Sequence, residues 1–219
     1  MYRILEDFFK QWKKSVPGAP ILLKGARQVG KTYLARKLGS EFQHFDEINF
    51  EKNPQFKELF QKDLDPKRIL RDLALSLNQT FRPGESLLFL DEIHECPAAI
   101  KALRYFKEEL PELHLIAAGS LLEFELEKIG MPVGRVDYLT VYPMNWHEFL
   151  LARGFGQLAA ACQSYQLLKD NAFPTALHHQ LNHLLGEYIA IGGMPEVVER
   201  WVSTQDFNQG LKNTHVRHR

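Results

Sequence analysis

The amino-acid sequence predicts an α/β protein, a parallel sheet of about five strands covered by helices on both faces, followed by a smaller helical domain. Three observations predict it. Short apolar runs alternate with helical periodicities as far as Pro143. A glycine-bearing loop, GARQVGKT, stands between one such run and a helix. Beyond Pro143 the periodicity is helical throughout, so a boundary near 143 separates residues 1–143 from 144–219.

The elements follow in order. Residues 2–14 bring Ile4, Leu5, Phe8, Phe9 and Trp12 together at helical spacing, and Pro17, Gly18 and Pro20 end that helix. Ile21 to Lys24 is a short strand. A helix runs from Lys31 to Leu38, closed by Gly39. Residues 41–50 form a second strand. Asn53-Pro54 and Asp65-Pro66 each put a capping side chain before a proline at the first helical position, so a helix starts at each. Pro83-Gly84 announces the strand Leu87–Leu90. Pro97 opens a helix whose Ile100, Leu103, Phe106 and Leu110 share a face. Leu113–Ala118 and Tyr138–Tyr142 complete the strands. Residues 145–153, 158–169, 175–190 and 195–203 are helical, and the tail NTHVRHR is polar and frayed.

Composition narrows the function classes. The 219 residues suit one full domain plus a smaller one. Lys+Arg and Asp+Glu both number 27, so overall charge does not indicate a nucleic-acid partner. Cys96 and Cys162 have neither metal nor redox spacing, which makes the reducing cytoplasm the expected location. The acidic residues in MYRILEDFFK argue against a signal peptide, and no apolar run approaches the ~20 residues of a membrane span.

Chemistry concentrates in two places. Gly25-Ala26-Arg27-Gln28-Val29-Gly30-Lys31-Thr32 fits GxxxxGK[ST], in which glycines let the backbone wrap a phosphate chain. Lys31 is placed to reach the β and γ phosphates of ATP. The Thr32 hydroxyl is a Mg²⁺ ligand, and Tyr33 follows at the edge of the nucleotide site. The helix that starts there adds the positive end of its dipole. The second place is LLFLDEIHECP. Asp91 ends an apolar strand, where it can hold Mg²⁺ through water, and Glu92 can orient or deprotonate the attacking water.

Competing readings of these motifs fail on specific residues. A GTPase needs NKxD and a DxxG glycine, and neither is present. DEIH read as a helicase signature needs a second domain of the same kind, for which residues 144–219 are too short and too helical. His94-Glu95 lacks the second histidine of a HExxH zinc site. His178, His179 and His183 lack a third ligand at useful spacing and read as an exposed helix face.

Two further residues carry two readings each. Ser120, after the fourth strand, can sense the γ-phosphate, or cap a helix through Ser120-Leu-Leu-Glu123. Arg135, in PVGRV before the fifth strand, stands where ring-forming ATPases place an arginine finger for a neighbouring subunit, worth ~10³–10⁵ in rate. It can equally form a structural salt bridge. The first reading would make the protein a homo-oligomer.

GARQVGKT, LFLDEIHECP, ALRYF, AAGSLLEF, PVGRV, YPMNWHEFL and GGMPEVV occur in this order. In these segments the chain resembles the prokaryotic AAA-type ATPases that pair an AAA_14 domain with a C-terminal DUF4143 region, over residues 1 to about 202. The resemblance implies a P-loop NTPase core of the AAA+ (ASCE) type, strand order 5-1-4-3-2, a helical lid, ATP with Mg²⁺, and hydrolysis of ATP. It also implies a nucleotide contact from Gly193, Met194 and Pro195. Read from the residues, Gly192-Gly193 stops one helix and Pro195 starts the next. The family continues into the DUF4143 region, which a chain ending at Arg219 is expected to lack. A module that binds nucleotide as a switch with little turnover of its own, and a DNA-dependent translocase, are the alternatives.

Overall fold

The computed structural model describes residues 1–15, 18–120, 122, 134–165 and 174–205. The described chain divides into two compact units. One is Leu5–Val141; the other joins Met1–Ile4 to the described residues from Tyr142 onward. The boundary drawn from sequence put the first four residues with the sheet. They group instead with the helical unit, because Arg3 and the Ile4 N–H both reach Glu148.

In the first unit, α1 (Leu5–Trp12) precedes β1 (Ile21–Lys24), α2 (Lys31–Gly39) and β2 (His44–Asn49). Then come α3 (Lys57–Gln61), α4 (Pro66–Leu77), β3 (Ser86–Asp91), α5 (Pro97–Glu109), β4 (His114–Ala118) and β5 (Asp137–Thr140). The strands form one parallel sheet in the order β2-β3-β4-β1-β5, the order 5-1-4-3-2 counted from the other edge. Every residue of β3 and β4 is buried. That explains their continuous apolar runs, since a parallel strand covered on both faces has no solvent side to alternate toward. Leu88 and Leu90 join Ile69, Leu73, Ile100, Leu103 and Phe106 in one core. Phe89 stacks on Phe45, with ring centroids 6.5 Å apart.

Helix boundaries show which signals carried weight. Asp65 caps α4, accepting from the N–H groups of Lys67 at 2.9 Å and Arg68 at 3.4 Å, a motif worth about 1 kcal/mol. Asn53-Pro54 opens a 3₁₀ turn, Pro54–Phe56, that runs directly into α3, and the Asn53 side chain makes no capping bond. The Asn53 backbone, at φ −124° and ψ 63°, leaves the extended region that a capping residue normally occupies. Gly39 was expected as a left-handed helix stop. It is the last helical residue instead, and its missing side chain makes room for Phe45, whose ring would lie 2.3 Å from a Cβ there.

The second unit contains α6 (Trp146–Ala152), α7 (Gly156–Ser164), α8 (Thr175–Ile191) and α9 (Pro195–Thr204). Asn145 and Glu148 form a reciprocal capping box at the start of α6. Met144, Phe149, Ile191, Val197, Val198 and Trp201 form one apolar cluster. The buried Glu187 carboxylate accepts from Arg153 at 2.9 Å and from the Trp201 indole at 3.0 Å, so its charge is paired inside the unit. The C-terminal end of the predicted helix 158–169 and the tail NTHVRHR lie outside the described residues. Among the described residues no helix is long and apolar enough to cross a membrane.

Candidate functional site

Parallel strands end on the same side of a sheet, so the loops after β1, β2, β3 and β4 share one edge. The loop after β1 is the glycine-bearing one. Gly25 has φ 140°, and a Cβ there would stand 2.2 Å from the Val141 carbonyl oxygen. Glycine is therefore demanded twice, by backbone conformation and by close approach. Gln28 at φ 66° and Gly30 at φ 97° both take left-handed turns, which folds the loop into the concave form that suits an anion. Val29 between them is fully buried and anchors the loop from below. Ala26 and Arg27 are exposed.

Gly30 precedes α2, so Lys31 and Thr32 sit in its first turn. Lys31 is buried, and its Nζ donates to the carbonyls of Gly25 at 2.8 Å and Ala26 at 2.7 Å. Burial lowers the Lys31 pKa from its ordinary value, while Glu92 and Asp91 act to hold the proton on. Tyr33 is half-exposed on the same turn.

Asp91 is the last residue of β3. Its carboxylate lies 3.3 and 3.4 Å from Thr32 Oγ1 and accepts from Asn49 Nδ2 at 3.1 Å. Burial raises the Asp91 pKa, opposed by the hydrogen bond from Asn49. Asn49 was absent from the sequence reading. It ends β2 in register with Asp91, and its own Oδ1 accepts from the N–H groups of Glu51 and Lys52. A polar residue closing the strand before an acidic strand end was the available signal, but strand pairing was needed to read it.

Glu92 turns out of the sheet in the left-handed region, φ 49° and ψ 46°. For a residue with a Cβ this costs roughly 1–2 kcal/mol. The turn is secured by the Glu95 N–H, which donates to the Glu92 carbonyl at 3.0 Å. Burial and the neighbouring Asp91 charge both raise the Glu92 pKa, toward the range useful to a base near neutral pH. Its Oε2 is buried and makes no hydrogen bond. Ser120, just past β4, also has a buried Oγ without a hydrogen-bond partner. Glu123, the other half of its expected capping box, and the helix expected to follow lie outside the described residues.

Arg135 is not brought to this edge. It precedes β5, whose first residue Asp137 pairs with Ile21, the first residue of β1, whereas the phosphate loop follows the last. Arg135 is therefore at the far end of the sheet, half-exposed, with its Nε donating to Glu108 at 2.9 Å. Gly193 and Pro195 belong to the second unit. A Cβ on Gly193 would stand 2.2 Å from the Met144 carbonyl oxygen, and Pro195 is the first residue of α9.

The oxygen donors Thr32 and Asp91 match what Mg²⁺ takes, a carboxylate and a hydroxyl with its remaining positions left to water and phosphate. A phosphate loop after β1, an acidic strand end on β3 and the order β2-β3-β4-β1-β5 together define a P-loop ATPase of the AAA+ kind. The AAA domain family model matches residues 18–150, and the chain belongs to that family.

Among solved structures the chain is similar to the Walker-type ATPase PABY2304 of Pyrococcus abyssi, with a TM-score of 0.56 and 20% identity. The match covers 97% of this chain and 71% of that one, and at this identity it is a likeness of fold. It is also similar to PCH-2 of C. elegans, with a TM-score of 0.44 and 12% identity, covering 91% of this chain and 58% of that one. A further match is AMPPCP-bound DnaA from Aquifex aeolicus, with a TM-score of 0.43 and 12% identity over 93% and 64% of the two chains. No curated protein matches.

Proposed function

We propose that the chain binds ATP with Mg²⁺ and hydrolyses it to ADP and phosphate. One observation carries the reading. The lysine-bearing loop and the Asp91-Glu92 strand end converge at one edge of one sheet, with Thr32 Oγ1 3.3 Å from Asp91. Main-chain N–H groups from Gly25 to Thr32 and the start of α2 hold the phosphates. Lys31 exchanges two loop carbonyls for phosphate oxygens. Thr32 and Asp91 would hold Mg²⁺, which neutralises charge on the phosphates when bound. Glu92 takes a proton from the attacking water, and Ser120 contacts the γ-phosphate. Tyr33 flanks the nucleotide from α2. For Pro195 a nucleotide contact is carried by the family resemblance alone.

Phosphate release from ATP tests the reading. Turnover is expected with Mg²⁺ and is lost with excess chelator. Turnover indifferent to the chelator would overturn it.

The position of Arg135 favours a second reading, a nucleotide-dependent assembly module with little turnover as a single copy. An arginine at the far end of the sheet cannot complete its own site, but it can serve a neighbouring copy. Specific activity is then expected to rise with protein concentration and to fall ~10³-fold or more in Arg135→Ala. Activity independent of concentration and unchanged in the variant argues for a purely structural Arg135–Glu108 pair.

A further inference from the structure

We propose that His94 is a positioning residue for Glu92, its Nδ1 fixing the direction of the carboxylate that activates water. The inference rests on the ATPase reading above. It begins with the backbone. Because Glu92 takes a left-handed conformation, the chain doubles back at once into the 3₁₀ turn Ile93–Glu95. That reversal brings the His94 ring to the side chain two residues earlier, with Nδ1 3.2 Å from Glu92 Oε2.

Both atoms are buried, and neither makes a hydrogen bond. Each is therefore the nearest complement of the other, and leaving either alone in the interior is unfavourable. They stand at bonding distance without bonding alignment.

The ring has two further neighbours. Its Nε2 lies 3.8 Å from Glu95 Oε1, and Glu95 in turn accepts from Lys57 Nζ at 2.9 Å. Its Nδ1 edge lies against Gly119, where a Cβ would come within 3.2 Å. A side chain there would press on the imidazole and, at 3.0 Å, on Leu122. His94 thus follows the end of β3 and turns its ring toward Gly119, the first residue after β4. A histidine placed only to start α5 would need none of these contacts.

The test is a double-mutant cycle on the full chain, read as steady-state phosphate release from Mg²⁺-ATP. His94→Ala is expected to lower kcat ~10–100-fold, the cost of a misdirected catalytic group, with KM and melting temperature unchanged. In the Glu92→Gln background the same substitution is expected to change nothing further, because the group it acts through is gone. His94→Asn, whose amide nitrogen stands close to where Nδ1 does and can donate toward Oε2, is expected to recover most of the rate. Wild-type kcat in His94→Ala overturns the proposal. So does an equal fold-loss in both backgrounds, the signature of a merely structural side chain. A wild type that releases no phosphate defeats the ATPase reading itself, whereas equal turnover in wild type and Glu92→Gln takes the base role from Glu92 and overturns this proposal; both results appear with His94 intact.

Discussion

Lys31→Ala is expected to lose nucleotide binding. Lys31 is held in the mouth of the phosphate loop by the carbonyls of Gly25 and Ala26, at 2.8 and 2.7 Å. Those contacts are replaceable by phosphate oxygens, which accept more strongly because they are charged. Burial works against the lysine proton, yet Asp91 and Glu92 keep the site favourable to a cation. A charge-assisted hydrogen bond is worth ~1.5–3 kcal/mol, so the loss of two corresponds to a weakening of ~10²-fold or more. Titration with a fluorescent ATP analogue checks this, with the melting temperature as control for folding. Affinity within a few-fold of wild type would remove Lys31 from the site. Lys31→Arg is expected to fail as well, because a planar fork cannot reproduce a compact ammonium in so tight a loop.

Glu92→Gln is expected to bind ATP normally and release phosphate ~10²–10⁴-fold more slowly, the range for loss of a positioned general base. The substitution keeps the volume and the left-handed backbone and removes only the basic oxygen. The raised pKa of Glu92 comes from burial and from Asp91. Both act on a group that must accept a proton, so the environment strengthens the base. Measuring binding and turnover on the same preparation separates the two functions. Equal turnover in variant and wild type would assign the base elsewhere.

Much of this was legible in the sequence, for identifiable reasons. Burial on both faces writes itself as a continuous apolar run, so Leu87–Leu90 was readable as an interior strand. A loop that wraps phosphate favours glycine at Gly25 and Gly30, because both have positive φ and a side chain at Gly25 would also meet the Val141 carbonyl. Asp65-Pro66 was readable because capping is local; at Asn53-Pro54 the proline starts a 3₁₀ turn that runs into α3, and only the side-chain cap is missing.

His94 and Asn49 show the opposite case. In the sequence His94 is the residue that raises a helicase or zinc reading and then drops out, and Asn49 is one polar residue among several. Their partners are Gly119 across the sheet and Asp91 on the neighbouring strand, and long-range pairing has no local signature. Arg135 is a further instance. Its place before the fifth strand was visible, but parallel pairing of β5 with β1 was needed to put it at the end of the sheet away from the phosphate loop.

The sequence by itself determined what is local: the phosphate loop, the acid pair at a strand end, the alternation that makes a parallel sheet, and the helical unit beyond it. Only the tertiary structure decided what those parts face. It placed Thr32 and Asn49 on Asp91, joined Met1–Ile4 to the second unit through Glu148, and set an imidazole beside Glu92. Backbone conformation and burial depend on neighbours in the chain and on residue type. Side-chain contacts across strands depend on register and order, which exist only once the sheet has formed.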